Sequence, residues 1–124
     1  MTAVDEVLVI GLDNGTQGTK CLVYDPGARR VLATASAPHT MIENEAGRRE
    51  QHPAEWTAAA ARVLRECLAA PGVDPRRVAA IGVSGQQHGC VALDAAGEPL
   101  RPAKLWCDTE TVAECEIIVA RMGG

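Results

Sequence analysis

Two strand-like apolar runs, Val7-Leu-Val-Ile10 and Lys20-Cys-Leu-Val-Tyr24, hold between them the segment Gly11-Leu-Asp-Asn-Gly-Thr-Gln-Gly-Thr-Lys20. A glycine-rich turn pinned between two strands suits the handling of phosphate. Glycines at 11, 15 and 18 permit positive φ angles and close backbone approach, and Thr16 and Thr19 offer hydroxyls and amides to an anion. Asp13 stands where a carboxylate would hold a cation bound to that anion. Two commoner motifs do not fit. A Walker loop needs Gly-x-x-x-x-Gly-Lys and then Ser or Thr, whereas Lys20 lies two residues after Gly18 and precedes Cys21. A dinucleotide fingerprint opens a helix, and here a strand follows. An ordinary hairpin turn, with glycines for geometry alone, is the plainer alternative.

The second chemical segment is Gly82-Val-Ser-Gly-Gln-Gln-His-Gly89, at the carboxyl end of the apolar run Val78–Val83. Open α/β sheets place ligands at such strand ends. Ser84, Gln86, Gln87 and His88 offer both donors and acceptors, as a polyhydroxylated ligand requires. A lone histidine is more often structural, but flanking glycines at a strand end favour ligand contact. Together with the phosphate loop on the adjacent strand, two ligand-facing turns are expected to open into one cleft.

The elements that must position these residues read, in order, as three strands, a helix, a strand, a short strand, a loop and a helix. Val31–Ala37 is the third strand, reached through the turn residues Asp25-Pro-Gly27. Residues 38–51 are polar and predict an exposed loop. Pro53 suits the first turn of a helix in which Trp56, Ala60, Val63, Leu64, Cys67 and Leu68 share a face until Pro71-Gly72. Val78–Val83, apolar throughout, predicts a parallel strand buried on both faces. Trp106 reads as a core plug and Asp108 as a cap for the last helix, while Leu105, Val112, Cys115, Ile118, Val119 and Met122 read as packing. Lys104 and Arg101 read as solvated charges. The antiparallel start followed by a crossover predicts an α/β fold with a ribonuclease-H-like mixed sheet, three antiparallel strands and then a parallel strand, with flanking helices.

Asp13-x-Gly15-Thr16-x-x-x-Lys20 after a strand resembles the first phosphate loop of the superfamily of sugar kinases, actin and heat-shock chaperones, with Gln17 where Ser or Thr is usual. Gly85-Gln-Gln-His-Gly89, with Leu93-Asp94 and Leu100-Arg-Pro-Ala-Lys-Leu-Trp-Cys-Asp108, resembles the sugar-binding stretch of the FGGY carbohydrate kinases, the xylulose kinases in particular. The resemblance runs from about Val7 to Arg121. It implies phosphorylation of a ketopentose, xylulose first, with ATP and Mg2+. It also implies phosphate and nucleotide contacts at Asp13, Gly15, Thr16, Gln17 and Lys20, with the metal at Asp13. Sugar contacts then fall to Gln87, His88, Trp106 and Asp108. Cys107 and Glu110 depart from the usual Trp-Asn-Asp-x-Arg and leave room for a related substrate. Family members are several times longer, with the general-base aspartate and main nucleotide lobe beyond the equivalent of Gly124. Residues 1–124 are therefore expected to be part of the N-terminal, sugar-binding domain, inactive alone and prone to self-association. A non-catalytic nucleotide- or sugar-binding module is the alternative from another class.

With 47% hydrophobic residues, 124 residues suffice for a core. The acidic start Met1-Thr-Ala-Val-Asp-Glu6 is unlike a signal peptide, and no apolar run is long enough to span a bilayer. A net charge of −4 argues against nucleic acid or an anionic membrane as main partner. Five scattered cysteines without a Cys-x-x-Cys pair predict reduced thiols and a cytoplasmic protein.

Overall fold

The computed structural model describes residues 7–124; the acidic start Met1–Glu6 lies outside the described residues. The elements are β1 (Leu8–Asn14), β2 (Gly18–Asp25), β3 (Arg30–Pro38), β4 (Ile42–Glu43), β5 (Arg49–Gln51), α1 (Pro53–Leu68), β6 (Val78–Gly85), β7 (Ala103–Lys104) and α2 (Val112–Met122). They fall into two compact units, one of residues through His39 with Ala54–Gln86, the other of Thr40–Pro53 with Gln87–Gly124.

In the first unit a four-stranded sheet has the order β3-β2-β1-β6, with β1 antiparallel to β2, β2 antiparallel to β3, and β6 parallel to β1. This is the mixed α/β sheet that the sequence predicts. Alternation along β1 and β2 sends Leu8, Ile10, Cys21 and Val23 to one face, where they form the core with Ala37 of β3 and Ala59, Val63 and Cys67 of α1. The fully buried line on α1 is spaced by four, so Ala59 rather than Ala60 faces the core, with Leu64 and Leu68 packed at its margin. Cys67 donates its thiol to the Cys21 carbonyl at 3.7 Å. Burial, reinforced by the Cys67 thiol, pushes the Cys21 thiol up to about 12. All five cysteines are free thiols.

Two expectations are corrected in this unit. β6 is not buried on both faces, since Ile81 and Val83 are 53% and 70% exposed. The strand stands at the sheet's edge, and among the described residues no strand pairs with its other side. The glycine-rich loop is also shorter than the sequence suggests. β1 runs on to Asn14 and β2 begins at Gly18, with Asp13 opposite Lys20 and Asn14 opposite Thr19. Only residues 15–17 turn the chain.

In the second unit β4, β5 and β7 form a small antiparallel sheet. The segment read as an exposed loop therefore holds two strands, and Glu50 and Gln51 are buried. Ala103 and Leu105 are buried as well, but α2 has no buried residue, so the packing expected of Val112, Cys115, Ile118, Val119 and Met122 is not found. No helix among the described residues is long and apolar enough to cross a membrane.

Candidate functional site

Asp13 lies next to the last residue of β1, exposed, on the face opposite α1. Its parallel neighbour on β6 is Ser84, whose hydroxyl donates to Asp13 Oδ1 at 2.8 Å. An exposed carboxylate beside a hydroxyl is a hard-oxygen set that suits Mg2+. Lys20 is Asp13's cross-strand neighbour on β2 and shares its face. Asp13, Lys20, Ser36 and Ser84 line an open groove of about 1050 Å3, floored by Gly11 and Gly82.

The glycines of the loop act differently from expectation, since none of Gly11, Gly15 and Gly18 has a positive φ. Gly18 is glycine because a Cβ there would lie 2.6 Å from the Ala37 carbonyl oxygen across the β2–β3 ladder. Thr19 does not face an anion either. It is fully buried on the core face, with its hydroxyl donated to Asn14 Oδ1 at 2.9 Å. The turn itself is closed by the Gly15 N–H on the Gly18 carbonyl, and the Gln86 N–H donates to the Asn14 carbonyl. Thr16 and Gln17 sit in the turn.

In the second unit Gln87 and His88 are exposed, and His88 has φ 59°, a left-handed backbone that is uncommon outside glycine but that histidine, like asparagine and aspartate, adopts more often than other residues. Such conformations cluster at functional sites. Trp106 is 60% exposed and is no core plug. Asp108 behaves otherwise: its side chain is 2% exposed and accepts the N–H of Arg49 at 2.8 Å and of Glu110 at 3.0 Å. It does not cap α2, whose N-cap position is Thr111.

Asp108 belongs to an ionic cluster that the sequence did not reveal. Lys104 stands opposite buried Glu50 on the β5–β7 ladder and reaches Glu50 at 3.0 Å, Asp108 at 3.1 Å and Glu110 at 3.0 Å. Arg101 pairs with Glu50, and Arg48 grips Glu110 with two hydrogen bonds of 3.1 and 2.9 Å. Lys104 and Arg101 are therefore not simply solvated. Burial would lower the Lys104 pKa, but hydrogen bonds to Glu110, Glu50 and Asp108 outweigh it and hold the ammonium above the lysine range. Burial likewise works to raise Asp108, and the Arg49 N–H with Lys104 more than offsets it, leaving the carboxyl below its ordinary value. The oxygens of Glu50, Asp108 and Glu110 lie within 4.8 Å of one another, close enough for a cation, yet Lys104 already sits among them.

Glu110 carries a pH signature. Hydrogen bonds from Arg48, then Lys104 and Asn44, bring its pKa from 4.5 down to about 2. A depressed carboxylate stabilises the fold above its unfolded value and loses that contribution as pH falls through its folded value. The difference in urea midpoint between the wild type and Glu110→Gln should hold constant from neutral pH to about 4.5, shrink below it and close near 2. A difference independent of pH would place Glu110 outside the cluster's electrostatics.

The N-terminal domain of the FGGY family of carbohydrate kinases matches residues 8–124. The chain belongs to this family. It is 45% identical over 121 residues to a xylulose kinase of Haemophilus influenzae, covering 94% of this chain and 24% of that protein. It is 42% identical over 124 residues to a xylulose kinase of Streptomyces coelicolor, covering 100% and 24%. A crystal structure described as a xyloylose kinase from Brucella ovis superposes with a TM-score of 0.79 at 34% identity, over 94% of this chain and 24% of that one. The chain spans about a quarter of the length of the curated relatives it matches.

Proposed function

We propose that the protein containing this chain is an FGGY kinase that transfers the γ-phosphoryl group of ATP to a ketopentose hydroxyl, with D-xylulose as substrate. The observation that carries the reading is 45% identity to a xylulose kinase along nearly the whole chain. Phosphoryl transfer is governed by positioning and charge neutralisation, so the residues are assigned accordingly. A bound Mg2+ ion would supply charge neutralisation for the transferring phosphoryl group. Asp13 would hold that cation, with the Ser84 hydroxyl orienting its carboxylate through Oδ1. Gly15, Thr16 and Gln17 carry the phosphate contacts of the turn, and Lys20 adds positive charge on the same face as Asp13. Gln87 and His88 hold sugar hydroxyls, with Trp106 contributing an exposed ring. Asp108 contributes by fixing the segment after Trp106, since its carboxylate is already taken up by Arg49, Glu110 and Lys104. The proton acceptor is assigned to none of these residues. A reaction that uses ATP, in a protein with free thiols, belongs in the cytoplasm.

The test is ADP release by the full-length protein with ATP, Mg2+ and a panel of ketopentoses, polyols and sugar acids. The highest kcat/KM is expected with D-xylulose. A higher value for a polyol or sugar acid would reassign the substrate, and no ADP with any of them would leave a binding module. His88→Ala should raise the KM for the sugar by about two- to tenfold, the worth of one net hydrogen bond, with the KM for ATP nearly unchanged. Equal rises for both substrates would mark His88 as structural.

A further inference from the structure

The hairpin that carries Asp13 is tied to the chain beyond β3 by a histidine that the motif does not include. His39 follows the last residue of β3 and makes two bonds to the loop. Its backbone N–H donates to the Gln17 carbonyl at 3.0 Å, and its Nε2 lies 2.9 Å from Thr19 Oγ1. Thr19 has one hydroxyl proton, and that proton is donated to Asn14 Oδ1. Toward His39 the hydroxyl oxygen can only accept, so the imidazole proton is on Nε2. Nδ1 is buried, with no hydrogen-bond partner among the described residues. The chain of bonds runs from His39 through Thr19 to Asn14, the residue after Asp13. A second strand of the same tether reaches Gln17, in the middle of the turn.

We propose that His39 is a positioning residue for the phosphate loop, holding residues 14–18 in one conformation through its Nε2–H on Thr19 and its N–H on Gln17. The proposal rests on the reading of that loop as the ATP-phosphate site. Holding such a loop in place spares the ordering entropy that ATP would otherwise have to offset on binding. The effect should therefore fall on ATP and spare the sugar.

Three variants of the full-length protein separate this role from a structural one. In His39→Ala the KM for ATP should rise by about two- to tenfold, as loss of one hydrogen bond implies, while the KM for the sugar stays within about twofold. His39→Gln, whose side-chain amide reaches the same place as Nε2, should restore most of the ATP affinity. His39→Asn, which ends short of Thr19, should not. An unchanged KM for ATP in His39→Ala, or equal rises for both substrates with no rescue by glutamine, would overturn the proposal. Asp13→Asn tests the underlying reading separately: if that variant keeps full turnover, the loop is not the phosphate site whatever His39 does. Should His39→Ala not fold, long-range proton–nitrogen spectra of the wild type decide the matter. A proton on Nε2 is expected, and one on Nδ1 would remove the bond to Thr19 and the proposal with it.

Discussion

Asp13→Asn is expected to lower the turnover of the full-length kinase by about a hundredfold or more, the scale on which loss of one preorganised charge-stabilising group acts. Asparagine has the same shape, and its carbonyl can still accept the Ser84 hydroxyl that Asp13 Oδ1 accepts at 2.8 Å. What it lacks is the negative charge that would hold a metal–phosphate complex. Asp13 is exposed and belongs to no ion pair among the described residues, so the unfolding free energy should move by less than about 0.5 kcal/mol. The check is ADP release beside thermal unfolding. Near-normal turnover would refute the role, and a large fall in stability would assign Asp13 to the fold instead.

The second large effect is one of stability. Lys104→Met should destabilise the protein by about 3 kcal/mol, because it strips the shared cation from Glu50, Asp108 and Glu110. The Glu50 and Asp108 side chains are only 4% and 2% exposed, so water cannot take over the role of the ammonium. Methionine nearly preserves the volume, and the loss is therefore electrostatic. Adding Glu50→Gln should recover part of it, since the double variant removes both ends of the Glu50–Lys104 pair. A urea midpoint series checks this. A change below about 0.5 kcal/mol would make Lys104 an ordinary surface charge.

The strands and α1 could be read from the sequence because their patterns are local. Apolar alternation over β1 and β2, and helical spacing from Pro53 onward, need no knowledge of distant partners. What escaped was set by pairing across long separations. β5 is three residues long, too short to show a period, and Glu50 is buried by its place opposite Lys104 on β7. Thr19 was read as anion-facing because its side of the sheet depends on where β2 begins. With β2 starting at Gly18, alternation sends Thr19 to the core and Lys20 to Asp13's face. The apolar run of β6 announced a strand but not what covers it. Asp13 and His88 were visible as motif residues. His39 and Arg48 were not, since no local pattern distinguishes them from other polar residues of residues 38–51.

The register of β1 also sets an order of assembly. Its antiparallel partner β2 follows after a three-residue turn, and β3 follows β2 closely, so this meander closes only short loops. Its parallel partner β6 must come from far along the chain, and the bond from Ser84 to Asp13 spans 71 positions. Closing the longer loop costs more chain entropy and waits on α1, so the meander should take shape before β6 docks. The hairpin with its glycine turn would then be an early-forming piece, and the hydroxyl that orients Asp13 a late arrival. Substitutions within β1 and β2 should slow folding, whereas those in β6 should act mainly by hastening unfolding.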